Sequence, residues 1–257
     1  MQRKQRLDLA LVERGLVASR EKGRALLMAG EVRVRGNVET RASVLVAEDA
    51  AIEITQPPRF VSRGGEKLDH ALAAFGIDVA GLVAMDAGAS TGGFTDCMLQ
   101  RGASRVYAID VGYGQLDLRL REDARVVVME RTNMRDLESL PESVDVATID
   151  ASFISLTKLL PAVIHIVRPG ADIVALVKPQ FEAGREEVGR RGVVRDPLVH
   201  ASVIGRVAWW CVNHRLRVRG VAASPLLGPA GNREFFLWLR TPAGEDPKKD
   251  TEGHRRE

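Results

Sequence analysis

Apolar residues recur along this chain with different periods, and each change of period marks a new element. Leu7, Leu9, Leu11 and Val12 open a helical stripe that stops at Gly15. Ser19 reads as the N-cap of a second helix, Arg20–Met28, which Ala29-Gly30 ends. Beyond Gly30 the period drops to two: Val32 and Val34 alternate with Arg33 and Arg35, Gly36-Asn37 turns the chain, and short strands follow at 44–46 and 52–54. The pattern predicts a small α+β domain over residues 1–56. A unit of that size is marginal alone and is expected to lean on a neighbour or a partner. Pro57 and Pro58 halt regular structure, so residues 57–62 read as a linker.

From Gly65 onward the text is different. Near-continuous apolar runs at 82–85, 105–109, 126–128, 144–149 and 173–177 alternate with helical stretches. Strands apolar on both faces need cover on both faces, which predicts an α/β fold with a doubly wound, mostly parallel, Rossmann-like sheet. Two later strands, 218–222 and 234–239, bring the count to seven and close a domain over 63–241. Residues 242–257 hold no large apolar side chain and are predicted to be disordered.

Composition narrows the class. At 45% hydrophobic and 28% charged residues, the 257-residue chain is neither fibrous nor wholly disordered. Cys97 and Cys211 are too far apart for a CxxC pair, and the five histidines show no ligand spacing, so neither a disulfide framework nor a metal site is expected. No apolar run reaches the roughly 18 residues of a membrane span, and the first residues are charged rather than a hydrophobic signal core. A cytoplasmic protein with no membrane contact and no obligate protein partner is the expectation.

Charge is more informative by position than by total. The net value is +3, yet residues 1–41 alone hold ten Lys/Arg against five Asp/Glu, which leaves −2 for the rest. Arginine outnumbers lysine by 30 to 7, a bias that high genomic GC content would also produce. Its clustering in one segment points to nucleic acid, with Arg6, Arg20, Lys22 and Arg24 as candidate phosphate contacts.

Candidate chemistry gathers where strands of the second domain end. After the first strand comes Asp86-Ala87-Gly88-Ala89-Ser90-Thr91-Gly92-Gly93-Phe94, a glycine-rich turn into a helix that lets backbone approach a ligand. Asp110, 22 residues beyond Gly88 at the end of the next strand, suits a carboxylate accepting ribose hydroxyls. A purely structural turn is the alternative. The glycine spacing departs from G-x-G-x-x-G, and Asp86 would sit badly beside a pyrophosphate, which favours the cationic S-adenosylmethionine over a nicotinamide dinucleotide. Asp150 and Lys178 end the fourth and fifth strands, Glu234 opens a late antiparallel strand, and Lys67 lies in the helix near Gly65. These four are predicted to converge on one edge, with a structural Asp150–Lys178 ion pair as the alternative. Tyr113 and Phe153 sit beside them on predicted crevice loops, although Phe153 reads equally as core. The loop 183–192, rich in Gly and Arg, either closes over RNA or is simply solvated.

Several stretches in order carry a resemblance: 61–68 (VSRGGEKL), the turn from Asp86 to Phe94, 110–115 (DVGYGQ), 150–156 (DASFISL) and 177–182 (VKPQFE). Together they resemble the TlyA family, ribosomal RNA 2'-O-methyltransferases long labelled hemolysin A. The catalytic domain of that family is FtsJ-like, and its N-terminal unit resembles the RNA-binding domain of small-subunit ribosomal protein S-four. The resemblance implies methylation of a cytidine ribose in 23S ribosomal RNA, and in some members also in 16S, within ribosomal subunits. It also implies S-adenosylmethionine as cofactor and a Lys-Asp-Lys-Glu tetrad on Lys67, Asp150, Lys178 and Glu234. In that setting Lys178 is the expected base, oriented by Asp150 and Glu234 and activated by the nearby charge of Lys67. Tyr113 and Phe153 are the expected faces for an extruded base. A non-catalytic RNA-binding assembly factor is the competing reading, and the intact tetrad speaks against it.

Overall fold

Local signals decide the N-terminal elements. In the computed structural model, which describes residues 4–55 and 59–243 except the Arg190 side chain, Ser19 Oγ accepts the Lys22 N–H at 3.2 Å. This caps α2 (Arg20–Met28), which packs against α1 (Leu7–Glu13). Four short strands follow: β2 (Val32–Val34), β3 (Asn37–Val38), β4 (Leu45–Ala47) and β5 (Ile52–Ile54). β2 lies between β3 and β5, while β4 pairs with β1 (Lys4–Arg6). The sequence reading missed β1 because its three residues are all polar and carry no period. Leu7, Leu11, Leu27, Val32 and Val46 form this unit's own core.

The chain divides into two compact units between Arg59 and Phe60. Of the expected linker, Pro57 and Pro58 lie outside the described residues. Phe60 overturns the rest of it. Its ring is 3% exposed, packed beneath Gly65, and the Val61 N–H donates to Asp96 Oδ2 at 2.8 Å, so the second unit already begins there.

That unit runs α3 (Arg63–Phe75), β6 (Val83–Ala87), α4 (Gly93–Gln100), β7 (Arg105–Ile109), α5 (Leu118–Arg121), β8 (Val126–Met129), β9 (Val144–Ile149) and α6 (Leu160–Ile166). It continues through β10 (Val167–Val177), α7 (Pro179–Glu182), α8 (Pro197–Asn213), β11 (Arg217–Ala223) and β12 (Phe235–Arg240). Seven strands form one sheet in the order β11-β12-β10-β9-β6-β7-β8. β8, β7, β6, β9 and β10 are parallel, and β12 and β11 run antiparallel. β10 starts six residues earlier than its apolar run, because a register shift between Val167 and Asp172 absorbs Pro169 and Gly170.

The apolar runs are explained by cover on both faces. Leu68 and Leu72 of α3 and Met98 of α4 join Val106, Val174 and Phe236 on one side. Leu160 and Val163 of α6 and Val203 and Val207 of α8 join Met85, Ile149 and Leu237 on the other. Cys211 is in this second core, where burial pushes its thiol up to about 12 and keeps it uncharged. Pro242 still belongs to the fold, since its carbonyl accepts the Gly170 N–H at 2.8 Å. The predicted disordered tail otherwise lies outside the described residues from 244 onward. Among the described residues no helix is long and apolar enough to cross a membrane.

Candidate active site

Strand order reverses at β6, which has β7 on one side and β9 on the other, and in a doubly wound sheet the ligand crevice opens at the carboxyl ends of such strands. The chain turns there at Gly88. Its φ of +90° is one that L side chains rarely adopt, and a Cβ would stand 2.5 Å from the Asp150 carbonyl oxygen. Glycine therefore lets the β6 and β9 ends touch. The Gly88 and Ala89 N–H groups donate to the Ile109 carbonyl, and the Asp150 N–H to that of Ala87, so three strand ends are tied into one rim.

Two cavities open on this rim. The larger, about 460 Å³, is lined by Gly88, Ser90, Asp110, Asn133, Met134 and Phe153, among others. Asp110 is fixed at its mouth: one carboxylate oxygen accepts the Ser90 N–H at 2.8 Å and the other the Gly112 N–H at 2.6 Å. The second cavity, about 260 Å³, is lined by Lys67, Thr91, Gly93, Phe94, Asp150 and Lys178, with Arg63 and Ser152. Gly88, Ser90, Asp150 and Ser152 belong to both, and so form a shared wall.

The four ionic residues come together as two pairs. Lys178 Nζ lies 2.6 Å from Asp150 Oδ1 and donates to Ser152 Oγ at 3.0 Å. Lys67 Nζ donates to Glu234 Oε2 at 2.6 Å, a pair almost fully buried. The register of β10 on β12, Val177 opposite Phe235, is what sets Lys178 beside Glu234 in the sheet. Two expectations are corrected here. Glu234 holds Lys67 and not Lys178, and Lys67 arrives as half of an ion pair rather than as a bare positive charge. Ser152 was not foreseen, since an isolated serine after a strand has no sequence signal of its own.

Asp86 and Gly92 also depart from expectation, because neither lines a cavity. Asp86 is wholly buried below the turn, where it accepts the hydroxyl protons of Thr95 at 2.7 Å and Thr148 at 3.1 Å. Burial pushes its carboxyl up to about 7, with the Asp150 charge adding to the rise and the two hydroxyls opposing it. Its task is to join β6, α4 and β9. Gly92 caps α4 with φ +96°, where a Cβ would collide with Leu120.

Phe153 is 90% exposed at the rim with φ +65°, touching only the Phe181 ring among aromatics, at 5.0 Å between centroids. This removes the core reading. Tyr113 is exposed too, with the Arg131 guanidinium 4.1 Å over its ring, but it lines neither cavity. In the N-terminal unit, Arg6, Arg20 and Arg24 all donate to Asp8, at 3.0, 2.8 and 3.3 Å. Asp8 is fully buried, the guanidiniums are about half exposed, and together the arginines hold its carboxyl well below the usual range. Lys22 is exposed, and among the described residues its backbone alone is engaged, at the α2 cap.

The arrangement suits a nucleoside with a reactive group reaching through the shared wall. The Asp110 carboxylate keeps lone pairs for ribose hydroxyls, and Gly88 leaves room that a side chain would fill, so these residues fit S-adenosylmethionine. Comparison with known proteins points to a methyltransferase. Residues 60–241 match the model of the FtsJ-like methyltransferase family. The chain is 50% identical to the 16S/23S rRNA (cytidine-2'-O)-methyltransferase TlyA of Mycobacterium tuberculosis, over 94% of this chain and 91% of that protein. It is 37% identical to Hemolysin A of Brachyspira hyodysenteriae, over 90% and 98% respectively. A solved structure from Streptococcus thermophilus superposes with a TM-score of 0.71 at 41% identity, covering 96% of this chain and 93% of that one.

Proposed function

Because the chain belongs to the TlyA branch of the FtsJ-like methyltransferases, we propose that it methylates ribosomal RNA on the 2'-oxygen of a cytidine ribose. The substrate is 23S RNA, and 16S RNA as well, in ribosomal subunits. One observation carries the reading: the Lys178–Asp150 pair and Lys67, itself held by the buried Glu234, line a cavity that shares a wall with the Asp110 cavity. S-adenosylmethionine, when bound, supplies a methyl group activated by its sulfonium charge.

This chain's residues do the rest. Asp110 accepts the cofactor ribose, and the turn at Gly88, Ser90 and Thr91 shapes the passage to the second cavity. A ribose hydroxyl is a poor acid, so its attack needs a base in line with the methyl carbon. Lys178 takes the proton of the attacking hydroxyl, whose oxygen would accept the methyl group that the bound cofactor supplies. Asp150 and Ser152 hold its nitrogen and stabilise the resulting ammonium. Lys67 faces the same cavity and orients the hydroxyl, with Glu234 holding its ammonium from behind. Phe153 and Tyr113 stack on the extruded base, a role that suits exposed rings better than buried ones. Arg6, Arg20, Lys22 and Arg24 hold the RNA backbone.

Lys178→Met tests the base. The variant keeps the bulk of the stem, so binding of S-adenosylmethionine and of RNA is expected to stay near parental while single-turnover methylation of ribosomal subunits falls roughly 10²- to 10⁴-fold. A near-parental rate would remove Lys178 from the proton path and leave it as a structural partner of Asp150.

A further inference from the structure

A third cavity, about 580 Å³, lies beyond the catalytic pairs and is lined by Arg195, Arg233, His200, Pro197, Ile204 and Phe235, with Ala201. Its two arginines carry no ion pair among the described residues, in contrast to eight others of this unit. Arg101, Arg105, Arg125, Arg168 and Arg206 each pair with a carboxylate. Arg195 and Arg233, both exposed, have no ion pair or hydrogen bond from their side chains among the described residues.

The backbone that carries them is built with care. Asn232, 1% exposed, accepts the Val194 N–H at 2.9 Å and donates to the Gly192 carbonyl at 2.9 Å. From the other side His200 Nε2 lies 2.9 Å from the Val194 carbonyl, and the His200 ring packs on Phe235 at 5.4 Å. Residues 194 and 232 are thus fixed side by side, and the next residue of each segment is an arginine. Two acids are their sequence neighbours, and neither forms an ion pair with them among the described residues. Glu234 is committed to Lys67, and Asp196 caps α8 through the Leu198 N–H at 2.8 Å.

Two free guanidiniums lining one cavity with Phe235, Ile204 and Pro197 suit an oxyanion. Phe235, which lines the cavity, is in register with Val177, the residue before Lys178, so the cleft lies at the same strand ends as the catalytic pairs. We propose that the Arg195–Arg233 cleft grips a backbone phosphate of the substrate RNA next to the ribose presented to Lys178. This rests on the ribosomal RNA reading above.

The test is binding of a ribosomal RNA fragment to the full chain across a salt series, by fluorescence anisotropy, in the parent and in Arg195→Gln/Arg233→Gln. Losing the one phosphate contact that both arginines make should lower the slope of log affinity against log salt by about 0.7 for single-stranded RNA. S-adenosylmethionine affinity should not change. A control of equal charge, Arg215→Gln/Arg217→Gln, alters exposed arginines at the opposite end of the sheet and should leave the slope parental. An unchanged slope in the cleft variant, or the same loss in the control, overturns the site while leaving rRNA methylation standing. If inorganic phosphate binds the parent calorimetrically and that binding vanishes in the cleft variant with the RNA slope intact, the cleft serves a free anion and the RNA role is wrong. A parent that shows no salt-dependent RNA binding overturns both readings.

Discussion

Asp86 has no water to ionise into. Its carboxyl titrates near 3.8 in the unfolded chain and at about 7 in the folded one. Between those values the folded chain holds a proton that the unfolded chain has released. The contribution to stability is therefore complete below about pH 3.8 and is lost as pH rises through about 7. A shift of this size corresponds to a few kcal/mol, on the order of 1.4 kcal/mol per pH unit. Asp86→Asn removes the titration. Thermal melts at pH 5 and pH 8 should show the parent losing several degrees relative to this variant at the higher pH, and a constant difference between the two proteins would contradict the assignment. The sequence placed Asp86 at the right turn but with the wrong task. An acid before a glycine turn reads as a ligand contact, and only packing reveals that Thr95 and Thr148 already occupy its oxygens.

At the scale of elements, the joint between β1, α1 and α2 rests on one buried carboxylate. Removing a single arginine from Asp8 leaves two partners, whereas removing all three strands a charge without water, which is strongly destabilising. Single alanine variants of Arg6, Arg20 or Arg24 should thus melt like the parent, and the triple variant should lose the structure of residues 4–55 first, seen as early proteolysis there. Equal resistance in the triple variant would show that Asp8 does not depend on them. RNA binding is accordingly best probed with the single variants. Elements were legible where burial leaves a period: the parallel strands are apolar on both faces, and Ser19 announces α2. β1 and the first residues of β10 were not, because pairing with a distant strand supplied what their own residues lack. For the same reason the four ionic residues could be brought to one edge from the sequence, yet their partners could not be assigned. Which lysine meets which carboxylate depends on side-chain direction across β10 and β12.

Across the whole molecule, the catalytic unit has two cores, one on each face of its sheet, while the N-terminal unit has a single small one. Non-glycine residues at positive φ occur in both units, and Phe153 is the aromatic one among them. A bulky side chain in the left-handed region costs roughly 1–2 kcal/mol, and this ring recovers little of it, being 90% exposed. Asn tolerates that conformation, so Phe153→Asn should raise the melting temperature by about 2–4 °C, the shift expected per kcal/mol for a domain of this size. Methylation of ribosomal subunits should fall in the same variant. A lower melting temperature, or parental methylation, would show that the ring is ordinary packing. Heat tolerance and activity thus pull residue 153 in opposite directions. A population selected for thermal survival alone, with no demand for modified ribosomes, would be expected to lose this phenylalanine early and to show no growth defect until RNA methylation was needed again.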